Sequence, residues 1–439
     1  MTLPTRILGR TGRASGLLLN VVPDGTRTYL TTGQVATLTR ATVGGMTADT
    51  LGRLSPSVHS QPKYEMVDLD GDGIRETMGL LLEQPRTNAF TYSEQFDNAA
   101  WSKLTCSITP NVWRAPDGTL TADKLVEDST ASEVHWLSRT PPTLTDNTLS
   151  TYSVYARAGE RSLFGVGIQK KNATTAYTYF NLATGAVGSI GSGVLARIEK
   201  FADGWYRCIV NFNPLSGGTV PVVRVFGPPS ETSSWSGDGA SGIYLWGAQF
   251  ETDRVFHTSY IPTVASTVQR NNDSLRFTPA WPMQDVTIYA KVARAWWMDI
   301  NADLGGSNHH CVVCHIEPTA TTSIRLYFNS AAGSPRQIVA QVDSGASAVN
   351  PTVNCPGGQT IEICAQFINL LTAPTCRLDV GSGFGAAPSP LTETMPDGWT
   401  ASGSYIGGDS TSERRLHAPL LALKVAAGAR TMAEMRGLL

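Results

Sequence analysis

From about residue 84 onward the chain is written as short stretches of alternating apolar and polar residues, each closed by turn-forming residues. Tyr152-Ser153-Val154-Tyr155-Ala156-Arg157 alternates cleanly, and so do Ser162 to Ile168, Tyr206 to Phe212 and Gly242 to Trp246. A period of two puts every second side chain on one face, as antiparallel sheets with one buried face require. Composition agrees. Charged residues make up 16%, against about 25% in ordinary soluble domains, and 42 Gly with 25 Pro punctuate the chain. Long charged helical faces are nearly absent, which excludes a coiled coil, a helical bundle or collagen. The expected fold class is all-β: tandem antiparallel β-sandwiches (jelly rolls) behind a small β-rich N-terminal region.

The 439 residues divide accordingly into three parts. Residues 1–83 are short apolar stretches cut by Gly, Thr and Asp, and are expected to form a β-rich anchoring region. Residues 84–270 form the first sandwich. A seam at 271–280 leads into a second sandwich, 271–439, with strands near Val286–Val292, Cys311–Ile316, Ile324–Phe328, Ile338–Val342, Ile361–Phe367 and Leu420–Val425. It closes on a short helical tail, Thr431–Leu438. Within the N-terminal part, residues 64–83 read as a hairpin around an Asp- and Gly-rich turn.

The formal charge of -2 lacks the basic excess of a protein that lives on phosphate backbones, so no nucleic-acid partner is expected. Six arginines in the first 53 residues (Arg6, Arg10, Arg13, Arg27, Arg40, Arg53) face only Asp24 and Asp49. That arm suits docking on an acidic partner or a plain solvated segment. If it anchors the chain, removing residues 1–53 abolishes docking and leaves the sandwiches folded. The N-terminus has no apolar stretch of signal-peptide length, and no segment offers the ~18 consecutive apolar residues of a membrane span. The expectation is synthesis in the cytoplasm without membrane insertion. Seven irregularly spaced Cys do not make a disulfide framework.

Four patterns bear on chemistry. Asp68, Asp70, Asp72 and Glu76 alternate around Gly71 and Gly73, as carboxylates converging on calcium would; the position of an EF-hand's closing Glu is held by Gly79, so a looser calcium turn and a plain hairpin turn stay open. His309-His310-Cys311-Val312-Val313-Cys314-His315 contains a Cys-x-x-Cys, but on a strand positions 311 and 314 point to opposite faces, which favours half-buried strand residues over zinc. Gly408-Asp409-Ser410 resembles an esterase opening motif placed at the wrong end of an all-β unit. Glu127, Asp128, Glu133, Asp238 and Glu251 are carboxylates available to a glycosidase, without a recognisable spacing. No catalytic residue is assigned and no enzyme is expected. Trp113, Trp235 with Asp238 close behind it, and Trp399 lie in polar, turn-rich surroundings, where an aromatic face can receive a sugar ring or pack beneath a loop. Trp246, in a Gly-bounded strand, reads as a core anchor.

A series of short phrases carries a resemblance. Leu81-Leu82-Glu83-Gln84-Pro85-Arg86-Thr87-Asn88 is followed by Tyr92-Ser93-Glu94-Gln95-Phe96-Asp97 and Trp101, then Thr121-Ala122-Asp123-Lys124-Leu125 and Ser153-Val154-Tyr155-Ala156-Arg157. Asp203-Gly204-Trp205-Tyr206-Arg207, Trp246-Gly247-Ala248-Gln249 and Ser259-Tyr260-Ile261-Pro262-Thr263 complete it. The series resembles the carbohydrate-binding-module-like jelly roll found in structural proteins of tailed bacteriophages, often followed by a concanavalin-A-like or laminin-G-like sandwich, which residues 275–439 resemble through Leu420–Val425 and the tail. The resemblance implies a virion structural protein: a tail fibre, spike or capsid decoration, a homo-oligomer with a trimer first, contacting other virion proteins and host-surface glycan. Two other readings stay open, a purely architectural decoration protein and a polysaccharide-degrading enzyme with a cleft between the sandwiches. Arg86, between Pro85 and Asn88, suits a buried, carboxylate-paired residue holding the N-terminal region to the jelly roll, or a surface Arg.

Overall fold

The computed structural model describes residues 17–21, 36–39, 45–57, 63–67, 77–252, 257–277, 280–281, 285–293, 309–316, 323–330, 337–343, 348–354, 360–380, 399–400, 404–406, 416 and 420–438. Among these residues the protein is all-β apart from a 3-10 turn at Ala202–Gly204 and one helix at Met432–Gly437. The sheets are antiparallel throughout and build two sandwiches.

The first sandwich is the expected jelly roll. One six-stranded sheet runs in the order Val194–Lys200, Trp205–Phe212, Ser150–Ala158, Gly242–Glu251, Ala122–Glu127, Cys106–Trp113. The facing six-stranded sheet contains Thr175–Asn181, Leu163–Gln169, Val222–Phe226 and Trp136–Arg139. Alternation decides what each face does. Tyr152, Val154 and Ala156 point between the sheets with Cys208, Val210, Ile243 and Leu245, while Tyr155 points outward into a second, aromatic cluster. Tyr206 joins Cys208 and Val210 on the inner face, behind a turn whose Asp203 adopts φ +55. Gly247, at φ +64, sits beside a register shift against Ser150–Ala158; a Cβ there would stand 2.9 Å from the Tyr155 ring. Trp246 is fully buried, as its Gly-bounded strand suggested.

The second sandwich draws on the whole chain. Its seven-stranded sheet holds Thr375–Asp379, Thr360–Ile368, Val286–Ala293, Leu420–Ala427, Thr77–Leu81 and Lys63–Val67, with Leu17–Val21 also paired to Leu420–Ala427. Ala36–Thr39 pairs with Ser274–Phe277 in the facing eight-stranded sheet. Ile288, Ala290, Ile363, Ala365, Leu423 and Val425 from one sheet meet Leu275, Phe277, Ile324, Leu326, Ile338 and Ala340 from the other. Strand pairing therefore runs across the boundary expected at residue 83. The hairpin expected over 64–83 is present, with Lys63 opposite Leu81 and Val67 opposite Thr77, as two strands of this sandwich. The jelly roll is an insertion between residues 83 and 271. The truncation of residues 1–53 is corrected by the same pairing: it removes Leu17–Val21 and Ala36–Thr39 from the two sheets, so the second sandwich does not survive it intact. The helical tail forms where expected, closed by a capping box in which Glu434 N–H donates to Thr431 Oγ1 and Thr431 N–H to Glu434 Oε2.

The phrases that carried the resemblance meet in space at the base of the jelly roll. Asn88 donates to the carbonyls of Ala248 and Ile261 and accepts from the N–H groups of Phe90 and Phe250. Gln249 accepts from Ile261 N–H and donates to Thr258 O. Arg86 is buried, with its guanidinium on the Gln84 side chain and 3.7 Å from the Glu251 carboxylate, as the buried, carboxylate-paired reading has it, but these partners lie within 84–270 and not in the N-terminal region that it was to hold. The beginning and end of the insertion are thus bonded to each other.

Candidate functional site

The outer face of the sheet containing Ser150–Ala158 carries an aromatic field. Tyr155, Trp205, Trp246 and Tyr260 cluster with Phe201, and a hairpin of Met46–Ala48 and Leu54–Pro56 lies over them, burying Ala48 and Leu54. Backbone hydrogen bonds from Met46 N–H to Tyr260 O and from Leu54 N–H to Pro116 O hold the hairpin down. Beyond its edge the field stays in water.

There Trp113 ends the strand Cys106–Trp113 with 38% of its surface exposed. Ala122 stands opposite it on the next strand, and this small side chain lets the indole lie across the sheet. It reaches Tyr244 on the strand beyond, ring centroids 5.0 Å apart, and Arg157 one strand further, whose guanidinium carbon lies 4.3 Å from the indole centroid. Arg157 is itself fixed: Nε donates to Asp203 O at 2.9 Å and Nη1 to Ala158 O at 3.0 Å. With the guanidinium over its ring and Tyr244 tilted against it, the indole still keeps 38% of its surface in water. An indole partly in water, with a tyrosine beside it and a guanidinium fixed over its ring, can stack on sugar C–H groups while the guanidinium donates to ring substituents.

Glu94 lies deeper in the same field. Its carboxylate accepts from Tyr260 Oη at 3.0 Å, and Tyr260 Oη also contacts Ser93 Oγ at 2.7 Å. Burial pushes the Glu94 carboxyl up to about 7, against the hydrogen bond from Tyr260 and with the help of the Asp117 charge.

The other site residues expected from sequence fall elsewhere. Trp235 is buried, its ring tilted against those of His135 and Phe226, and its indole N–H donates to Glu127 at 2.9 Å. It packs beneath a loop, and as an exposed platform it is corrected. Asp238 joins this cluster 3.5 Å from Arg161, but its carboxylate is taken up by Ser241 and by the N–H of Ala240, which fold its own loop. Trp113 and Trp235 do not come together. The backbone of Trp399 pairs with Trp281, and its side chain lies outside the described residues. Asp68, Asp70, Asp72, Glu76 and Gly408-Asp409-Ser410 lie outside them as well.

Of the carboxylates available to a glycosidase, Glu127 is bound by Arg161 and Trp235, and Glu251 by Thr258. Cys314 sits in the apolar core with its thiol pushed up to about 12 by burial, and His315 Nε2 accepts from Arg325. Cys106, Cys208, Cys364 and Cys376 are, like Cys314, free thiols. Among the described residues no group of three His, Cys, Asp or Glu side chains is set to hold a metal, and no helix is long and apolar enough to cross a membrane.

Sequence reasoning found Trp113 through its polar surroundings and missed Tyr244 and Arg157. The alternation of 152–157 did place Arg157 on the outer face with Tyr155; its distance from Trp113 depends on a strand order that no local pattern contains.

No protein-family model matches this chain, and no curated protein matches it. Among solved structures it is similar to the mouse laminin alpha1 chain, domains LG4-5, at 12% identity over 69% of this chain and 88% of that one, with a TM-score of 0.24. An overlap that slight carries no argument about function; the all-β class rests on the sheets described above.

Proposed function

We propose that this protein is a non-catalytic glycan-binding β-sandwich protein that serves as an exposed structural component of a tailed-phage particle. The observation that carries the binding reading is the part-exposed indole of Trp113, with Tyr244 beside it and the fixed guanidinium of Arg157 over its ring. The phage setting rests on the resemblance of the phrases between Leu81 and Thr263 to virion jelly rolls. In it the chain is a fibre, spike or decoration subunit, a homo-oligomer with a trimer as first choice, whose repeated copies turn weak sugar contacts into avidity.

The test is a glycan array probed with the full-length protein and with Trp113→Ala. Retention of a defined set of host-surface glycans by the native protein, weakened about tenfold in the variant, is the expected result, since one aromatic stacking contact is worth about 1 kcal/mol or slightly more. Equal retention by both proteins removes the site. Retention of nothing by the native protein removes glycan binding and leaves the architectural decoration reading, whereas time-dependent release of reducing ends from polysaccharide would establish the enzyme.

A further inference from the structure

Where the jelly roll leaves and rejoins the second sandwich, four charged side chains are sealed from water. Lys63, on an outer strand of the seven-stranded sheet, bonds to the Glu83 carboxylate, and its Nζ lies 2.9 Å from Asp273 Oδ2. The side chains of Lys63 and Asp273 are 0% exposed and that of Glu83 is 3%. Arg270 bonds to the same Glu83 oxygen and donates to Gln84 O at 2.6 Å. Ser259 N–H and Oγ occupy the Glu83 carboxylate at 2.8 and 2.7 Å. Glu83 N–H donates to Asp273 Oδ2 at 3.0 Å, and Asp273 N–H returns to Glu83 O at 2.9 Å. Holding four ions in a dry core carries a desolvation cost that their mutual attraction must offset. The arrangement also sets an amine against a carboxyl carbon, one bond beyond Oδ2, with a second carboxylate touching the amine.

We propose that Lys63 and Asp273 condense to an intramolecular isopeptide bond, with Glu83 as the proton carrier. Glu83 takes a proton from the Lys63 ammonium, and the freed Nζ lone pair attacks Asp273 Cγ. The Glu83 N–H on Oδ2 polarises the carboxyl and stabilises the oxyanion that forms. Glu83 then passes its proton to the departing Asp273 oxygen; a second Nζ proton follows the same route, the C–O bond breaks and water leaves. An ammonium and a carboxylate become an amide and one water, Glu83 ends as it began, and no oxidant or co-reactant is consumed. Burial alone would raise the Glu83 carboxyl, but the Arg270 and Lys63 charges hold it well below the ordinary range, in the ionised form that accepts the first proton. Fixed reactants at near-contact distance replace the activation such a condensation needs in water. Once the bond forms, the Glu83–Arg270 pair remains, a neutral remainder. The bond would tie an outer strand of one sheet to the residue leading into Ser274–Phe277 of the other, beside both points where the insertion joins. A pull on the jelly roll would then load a covalent link before it could peel either sheet.

The experiment is intact-mass spectrometry of the denatured, reduced full-length protein, followed by digestion and fragment sequencing. The expected mass is one water below that of the sequence, with a branched peptide joining Lys63 to Asp273. Lys63→Met and Asp273→Ala should restore the full sequence mass, and Glu83→Gln should restore it in a chain whose circular dichroism remains that of β-sheet. A folded native protein at the full sequence mass overturns the proposal, and this reading depends on no variant folding. A water loss that maps to an aspartyl succinimide or to a Lys63–Glu83 link overturns it too.

Discussion

Glu94 makes the stability of the jelly roll depend on pH in a direction opposite to that of most carboxylates. Its carboxyl stands at about 7 in the folded protein against 4.5 for the free side chain, because burial beneath the aromatic field disfavours the charge. The folded state therefore holds this proton more tightly than the unfolded chain does. The stabilisation is complete below pH 4.5 and is lost as the pH rises through 7. The full gap corresponds to about 3 kcal/mol; partial exposure of the carboxyl lets water screen it, so a change of about 1–2 kcal/mol is expected. Glu94→Gln keeps the shape and the acceptor for Tyr260 Oη but does not ionise. Urea unfolding, followed by tryptophan fluorescence because Trp246 shares the cluster, should give coincident curves below pH 4.5. Well above pH 7 the variant's midpoint should lie higher by about 0.5–1 M. A native midpoint that stays flat across this range, or an equal pH dependence in the variant, refutes the argument.

Three further outcomes follow from the same geometry. Asn88→Ala strands four buried backbone groups at the base of the insertion and should cost about 3 kcal/mol or more in urea unfolding; a loss below about 1 kcal/mol contradicts the role given to it. Gly247→Ala brings a Cβ to 2.9 Å from Tyr155 at a φ of +64, and should cost about 1–3 kcal/mol by the same measurement. Immunogold labelling of intact particles should decorate fibres or the tail tip; regular labelling of the head favours the decoration reading, and particles that never label refute the virion setting.

Much of this architecture was legible because it is local. Alternation in 150–158 and 205–212 states which side chains face inward, and the sandwich reading followed from it. Trp246 was recognisable from its strand, and the helical tail at Thr431–Leu438 was read as well, its Thr431/Glu434 capping box coming with the structure. Pairing partners are not local, which is why the insertion escaped notice: Lys63–Val67 and Thr77–Leu81 announce a hairpin but not the sheet that receives it. Trp235 misled for a related reason. The Thr, Ser and Asp around it bond to one another, Thr232 to Ser234 and Asp238 to Ser241, so a polar stretch folds back and seals an indole against Phe226 and His135. Tyr244 and Arg157 sit in strands that read as core, and only the two-dimensional order of the sheet brings them to Trp113.

If the N-terminal strands belong to the second sandwich, the chain can be divided in a way that the linear order of its domains would forbid. The strand Leu420–Ala427 pairs with Val286–Ala293 on one side and with Leu17–Val21 and Thr77–Leu81 on the other. Residues 271–439 alone would leave that second side as an open row of backbone donors and acceptors beside an apolar face, a template for aggregation. They would also lose Leu80 and Leu82 from the core. Excising the insertion keeps that side paired and keeps Leu80 and Leu82, and takes away Leu149 from that core cluster and Arg270 from beside Glu83. Its ends are already side by side, with Arg86–Asn88 paired to Val268–Arg270 and Asp273 N–H 2.9 Å from Glu83 O, so a short turn can replace it. A chain of residues 1–83 joined by such a turn to 271–439 should be soluble and melt cooperatively, whereas 271–439 by itself should precipitate or show no thermal transition. A cooperative transition from 271–439 alone would mean that the N-terminal strands decorate a sandwich already complete without them.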